Sequence, residues 1–229
     1  MSTLLVMPSA AELRPLLSAS VSRGASSAPL SLHRLADLPP AWVFRELVGR
    51  LLELGGGPAP SSGAAAPSAT ATAAAALVAD AQQHGEQTAW IATRDGFAYP
   101  PDLAEWGIDL ASLAVVRLRG TDAFAQAADW LLRSGAFGVV VLDFGAAAPE
   151  LPMPVQVRLA GLAQKHAAVA LCLGQRPILR SSLASLRAVS TRERTAEGRF
   201  RWTLDVTKDK RRGHPWRTAQ VLRGPVGLC

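Results

Sequence analysis

From Trp42 onward the apolar and polar positions fall into a readable order. Arg50–Leu54 (RLLEL) is a short apolar run that halts at Gly55-Gly56-Gly57, which predicts a strand running into a loop. The loop, GGGPAPSSGAAAPSAT, is built from Gly, Pro, Ser and Ala, and the alanine-dominated Ala69–Gln83 predicts a helix ended near Gly85. Thr88–Thr93 (TAWIAT) and Ala114–Leu118 (AVVRL) predict strands. Thr121–Ser134 has a cap, the helical period and Gly135 as its stop, with Phe124, Ala128, Leu131 and Leu132 on one face. Gly138–Phe144 (GVVVLDF) is the unbroken run expected of a strand covered on both faces of a parallel sheet. A helix over Val155–His166, striped by Val155, Leu159 and Leu162, leads to a second such strand at Ala168–Leu173 (AVALCL).

The period then changes. In Arg199–Val206, Phe200, Trp202, Leu204 and Val206 alternate with Arg199, Arg201, Thr203 and Asp205. That period of two marks a half-exposed antiparallel strand, paired with Ser185–Arg194 across a tight Thr195–Gly198 connection. A last strand is expected at Ala219–Arg223. Strand–helix alternation closed by a hairpin predicts an α/β fold, a mainly parallel sheet flanked by helices with a C-terminal antiparallel hairpin. The expected organisation is an N-terminal extension over 1–40 with one weak helix around Ala10–Ser18 and a Ser22–Pro29 connector, a domain over 41–223, and a basic hairpin and tail over 199–229 within or following it.

Composition narrows the class. The chain has 229 residues, 49% of them hydrophobic, enough for one sizeable core. No apolar run reaches the roughly 18–20 residues of a spanning helix, and no basic residue precedes the apolar stretch of MSTLLVMPSAAELRPLL, which argues against a secretory signal. Cys172 in an apolar run and Cys229 at the last position make no disulfide framework. The expectation is a cytoplasmic protein, with nucleoid association open to it, and no membrane partner. The net charge of +6 is concentrated: Arg187–Arg223 holds eleven Lys+Arg against four Asp+Glu, and the rest of the chain is close to neutral. Such a segment neutralises phosphates, meets an acidic protein surface, or is simply solvated. Its densest cluster is Lys208, Lys210, Arg211, Arg212 and Arg217 with Trp216, where nucleic acid and an acidic groove fit equally well. Phe200 and Trp202 are expected in the core of the hairpin.

The loop after Leu54 is where a phosphate cradle belongs, because loop N–H groups and a helix N-terminus converge there. The chemistry of such a cradle also requires a lysine on the β/γ-phosphates and a Ser/Thr hydroxyl on magnesium. Here Gly57–Ala65 (GPAPSSGAA) ends in Gly63-Ala64-Ala65, and the chain's three lysines are Lys165, Lys208 and Lys210, so none precedes residue 165. Asp143, ending GVVVLD, stands where an aspartate would reach magnesium through water. Alone, the loop reads as a connector and Asp143 as a turn cap. His33, His84, His166 and His214 lack ligand spacing, and Ser61 and Ser62 lack the setting of a hydrolase nucleophile.

In order and spacing, the chain from Gly49 to Trp216 resembles bacterial RecA. Gly49-Arg50 with its apolar run and GPAPSSG resembles the strand and P-loop, and Gly107-Ile-Asp-Leu110 the segment after the first crossover. Leu132-Arg-Ser-Gly-Ala136 into Val139–Asp143 resembles the approach to Walker B, and Leu159-Ala-Gly-Leu162 the following helix. Gln175 falls where the family's nucleotide-sensing glutamine begins the second DNA loop, and Val206-Thr-Lys-Asp-Lys210 resembles the paired lysines near the subunit interface. The departures are that Ala64 and Ala65 replace the lysine and threonine, Ala92-Thr-Arg-Asp95 replaces the water-activating glutamate, and the segments before Pro154 and after Gln175 are trimmed.

Among RecA relatives lacking these parts, the chain is most similar to the ImuA family, encoded beside ImuB, an inactive Y-family polymerase-like protein, and an error-prone C-family polymerase. The resemblance implies a non-catalytic accessory of SOS mutagenesis and translesion synthesis. It would bind an ImuB-type partner and RecA, reach the C-family polymerase indirectly, and engage single-stranded DNA. It implies no ATPase activity and no cofactor, with residual ATP binding open. Gly57, Gly63, Ala64, Ala65, Asp143 and Gln175 would then form a vestigial nucleotide site. The alternatives are a nucleotide-dependent DNA-binding ATPase of the RecA type and a division inhibitor similar to SulA.

Overall fold

The computed structural model describes residues 41–56, 69–93, 100–145, 150–175, 178–180, 182–195 and 199–223. The N-terminal extension with its weak helix, and loop positions Gly57, Gly63, Ala64 and Ala65, lie outside these residues, as do Arg94 and Asp95. In chain order the elements are α1 (Phe44–Leu47), β1 (Arg50–Gly56), α2 (Thr70–Gln83), β2 (Thr88–Thr93), α3 (Pro100–Glu105), a 3-10 turn (Leu110–Ser112), β3 (Leu113–Leu118) and α4 (Thr121–Ser134). They continue with β4 (Val139–Asp143), α5 (Met153–Lys165), β5 (Val169–Gly174), β6 (Leu186–Arg194), β7 (Arg199–Asp209) and β8 (Trp216–Arg223).

These strands form one eight-stranded sheet in the order β3-β2-β4-β5-β1-β6-β7-β8. Every neighbour from β3 through β6 is parallel, and β6–β7 and β7–β8 are antiparallel. The expected α/β architecture is therefore the observed one, and the run of antiparallel strands reaches one strand past the hairpin. β1 extends beyond the expected stop at Gly55 to Gly56, because Gly55 and Gly56 still pair with Val189 and Ser190 of β6. β7 runs three residues past Val206, and β8 starts at Trp216 rather than Ala219.

Burial on both faces explains the unbroken apolar strands. Val139 and Val141 of β4 face one cluster with Leu52, Leu54, Trp90, Leu171 and α2, while Val140 and Leu142 face the other with Leu51, Ile91, Phe124, Leu132 and Leu159. α2 is enclosed rather than amphipathic, with Ala73 through Ala81 all buried, and small side chains let it lie close on the sheet. Trp42, Trp90 and Trp202 are at most 1% exposed. At about 25 cal/mol per Å² and ~150–250 Å² buried per aromatic side chain, each contributes roughly 4–6 kcal/mol as an upper estimate. Phe200, expected in the core, is only half-buried, since it lies at the end of β7 next to the connection with β6.

Candidate functional site

The parallel strands β1, β2, β4 and β5 all end at one pole of the sheet, the position where open α/β sheets hold ligands. Leu54, Leu173 and Asp143 stand abreast in register on β1, β5 and β4, so two strand spacings of ~4.8 Å set Asp143 about 10 Å from Leu54. Strand alternation puts Asp143 on the same sheet face as Val139 and Val141, the face that α2 covers. α2 starts at the same pole, since Ala69 bonds Ser190, the partner of Gly56. Gln175 follows the last residue of β5 at the same pole and is exposed. The fold thus gathers Asp143, Gln175 and the start of α2 at one end.

The local chemistry of Asp143 is that of a tied-down side chain. Its carboxylate accepts from the Gly145 amide at 3.1 Å and from the Trp90 indole N–H at 3.4 Å. Burial pushes its pKa up from the ordinary aspartate value, and those two donors offset only part of that push. No lysine stands in the first 164 residues to meet a β/γ-phosphate. Among the described residues there is also no group of three or more His, Cys, Asp or Glu able to hold a metal ion.

The N-terminus of α2 is fixed from the side. The Ala69 amide donates to the Ser190 carbonyl at 3.1 Å, the Ser190 hydroxyl donates to the Ala69 carbonyl at 2.8 Å, and the Trp202 indole donates to the Ser190 hydroxyl at 2.9 Å. Trp202 therefore belongs to the core, and its polar edge positions the helix that follows the loop.

The segments after β4 and β5 are stitched together. Glu53, 3% exposed on β1, accepts from the amides of Ile178 and Leu179 and from the Arg187 guanidinium. Arg187 also donates to the Leu179 carbonyl at 2.7 Å. Gln156, fully buried, donates to the Leu151 carbonyl and accepts from the Arg180 amide at 2.8 Å. Arg180 pairs with Glu150 at 3.0 Å, and the Leu151 amide donates to the Ile178 carbonyl at 3.0 Å. Reading RLLEL as an apolar run missed Glu53. The available signal was a carboxylate inside a strand covered on both faces, which must find partners.

The basic cluster stands at the opposite pole. Asp209 pairs in register with Leu186, itself abreast of Leu52, so the β7–β8 turn lies beside the start of β1. Buried Arg50 meets buried Asp209 at 2.5 Å, and Asp209 also accepts from the Trp216 indole at 3.1 Å and the Arg211 amide at 3.0 Å. Burial pushes the Asp209 carboxyl up, but Trp216, Arg50 and the Arg212 amide outweigh it and hold it below the ordinary value. Several of the cationic side chains have structural contacts. Arg211 donates to the carbonyls of Glu46 at 2.5 Å and Val48 at 3.0 Å, Arg212 reaches Glu46 at 3.5 Å, and Lys210 donates to the Ser182 carbonyl at 2.5 Å. Lys208, half-exposed on β7, is held below the ordinary lysine value by burial first and by Lys210 and Arg187 next. Arg217 is exposed on β8. Asp143 and Gln175 on one side, and Lys208 to Arg217 on the other, are therefore not one site within a single chain.

No family model and no curated protein matches the chain. Among solved structures, it is similar to the flagellar accessory protein FlaH from Methanocaldococcus jannaschii, at a TM-score of 0.52 and 9% identity, over 77% of this chain and 85% of that one. With the strand order, this likeness shows a RecA-like core. In the described residues, no helix is long and apolar enough to cross a membrane.

Proposed function

We propose that the protein is a non-catalytic RecA-like accessory of DNA-damage tolerance, acting in SOS mutagenesis and translesion synthesis in the manner of the ImuA family. The observation that carries this reading is a RecA-like pole that keeps its aspartate, hydrogen-bonded to Trp90 and Gly145, but offers no lysine. Such a pole supplies neither the charge neutralisation nor the positioning that phosphoryl transfer requires, each typically worth orders of magnitude in rate. What the fold retains is a surface that partners can use. Pinning of the segments after β4 and β5 by Glu53 and Gln156 fits a protein that presents fixed contacts rather than loops that order around DNA.

In this reading the partners are an ImuB-type inactive Y-family polymerase and RecA, with the error-prone C-family polymerase reached through the first. A unit that docks on a RecA filament without hydrolysing ATP stops its growth and restrains recombination. The basic pole, with Lys208, Lys210, Arg212 and Arg217, supplies the charge for single-stranded DNA or an acidic partner face. The test is co-purification of the full chain with each partner, together with RecA strand exchange at increasing protein. The reading predicts capture of at least one partner and dose-dependent inhibition of exchange; no capture and unaltered exchange contradict it.

A further inference from the structure

Among the described residues the sheet ends in β8, and the middle of that strand lacks the usual protections. β8 pairs with β7 along its whole length, from Trp216 opposite Val206 to Arg223 opposite Arg199, and among the described residues nothing pairs with its outer side. Exposed edges are normally blunted by a proline, a bulge or charges along the strand. No proline occurs between Trp216 and Arg223, and the stretch Thr218-Ala219-Gln220-Val221-Leu222 carries no charge. The register shift in this part of the sheet lies at Arg187/Ala188, between β6 and β7, away from the edge.

The two faces of β8 differ. Trp216 and Leu222 pack against the cluster that holds α2, whereas Arg217, Ala219 and Val221 stand on the other face and are exposed, Val221 to 54%. Arg201 of β7 stands directly beside Val221 on that open face and is exposed as well. Asp205, the cross-strand neighbour of Arg217, forms no ion pair with it. A strand added outside β8 would thus meet a row of backbone donors and acceptors, an exposed valine, and a guanidinium that has no ion pair among the described residues.

We propose that β8 is a docking edge for an extended acidic segment of a partner protein, which joins the sheet by strand addition. Main-chain pairing supplies the affinity, and side chains on alternate positions supply the selection. Residues directly opposite across strands lie ~4.5–5.5 Å apart at Cβ, so a carboxylate opposite Arg217 and an apolar side chain opposite Val221, four positions along, satisfy the open face together. Opposite charge is favoured at that position and like charge disfavoured, which selects an acidic segment over a basic one. The inference rests on the sheet edge alone and stands whether or not the partners proposed above are right.

The test uses the full chain and two labelled octapeptides on a threonine background, one with glutamate and valine four positions apart and one with lysine in place of the glutamate, followed by fluorescence anisotropy and by amide exchange. The acidic peptide should bind at least tenfold more tightly, and its binding should slow exchange of β8 amides while leaving the opposite edge strand β3 unchanged. Arg217→Glu should reverse the preference. Equal binding of both peptides overturns the proposal, as does an unaltered preference in Arg217→Glu. Acidic-peptide binding without slowed exchange in β8 also overturns it, since the basic β7–β8 turn is then the receptor. Dimerisation that protects β8 and excludes the peptide, seen by sedimentation, assigns the edge to a second copy instead.

Discussion

Replacing Glu53 tests the claim that the segment after β5 is locked to the sheet. The carboxylate is 3% exposed and accepts from two backbone amides, Ile178 and Leu179, and from Arg187. In Glu53→Ala both amides lose their acceptor and the Arg187 guanidinium loses its counter-charge. Each orphaned buried donor costs about 1–3 kcal/mol, and breaking a buried ion pair from one side costs about 3–5 kcal/mol. Because Arg187 is 25% exposed and can turn toward water, the lower part of that range applies, about 3–4 kcal/mol. Glu53→Gln keeps a carbonyl for the amides but loses the charge and turns an NH2 donor toward Arg187, so about 1–3 kcal/mol is expected. Urea unfolding reads both values from the midpoint at constant slope. Limited trypsin digestion gives the local readout, because Arg180 is held through Gln156 and its neighbours Ile178 and Leu179 through Glu53. Faster cleavage after Arg180 is expected in both variants. A Glu53→Ala protein within about 1 kcal/mol of wild type, with unchanged cleavage, would refute the argument.

Asp209→Ala strands the buried Arg50 guanidinium and should cost about 3–5 kcal/mol by chemical unfolding. Since Asp209 is held below the ordinary aspartate value of ~4, its contribution is complete above that value and disappears as pH falls through the lowered one. The acid limb of the stability curve should therefore be flatter in Asp209→Asn. Asp143 behaves oppositely. Burial raises its value, so ionisation at neutral pH opposes folding, and Asp143→Asn should raise Tm at pH 8 by more than at pH 4. An Asp143→Asn protein less stable at pH 8 would mean that the charge is matched by something other than Trp90 and Gly145. Gly135 ends α4 at φ 66°, with an added Cβ 2.9 Å from His166 Nδ1, so Gly135→Ala should lose at least about 1–2 kcal/mol by thermal or urea melts.

Most of the layer plan was legible because parallel strands covered on both faces leave unbroken apolar runs. β2 and α4 lie at the expected residues, and β4, β5 and α5 within two residues at each end. α3 (Pro100–Glu105) was missed because it is a single short turn with one buried residue, Leu103, which gives no period to read. The full length of β7 was hidden where alternation stops. Beyond Val206 its partners are Lys208 opposite Arg187 and Asp209 opposite Leu186, a bulged stretch held by Arg50 rather than by hydrophobic pattern. The placement of Asp143 at the strand end was readable from its position after GVVVL. Its bond with Trp90 was not, because contacts across 53 positions are set by strand order. The basic cluster was visible as composition, yet its division into side chains engaged with Glu46, Val48 and Ser182 and an exposed Arg217 follows only from the turn's place beside α1.

The central claim is that this RecA-like core does not work through a nucleotide. A calorimetric titration of the full chain with magnesium and ATP, repeated on Asp143→Ala, tests it most directly. The account predicts no saturable binding up to about millimolar ATP in either protein, on the scale where 1 mM corresponds to about −4.1 kcal/mol. Saturable micromolar binding that requires magnesium and is abolished by Asp143→Ala would contradict it.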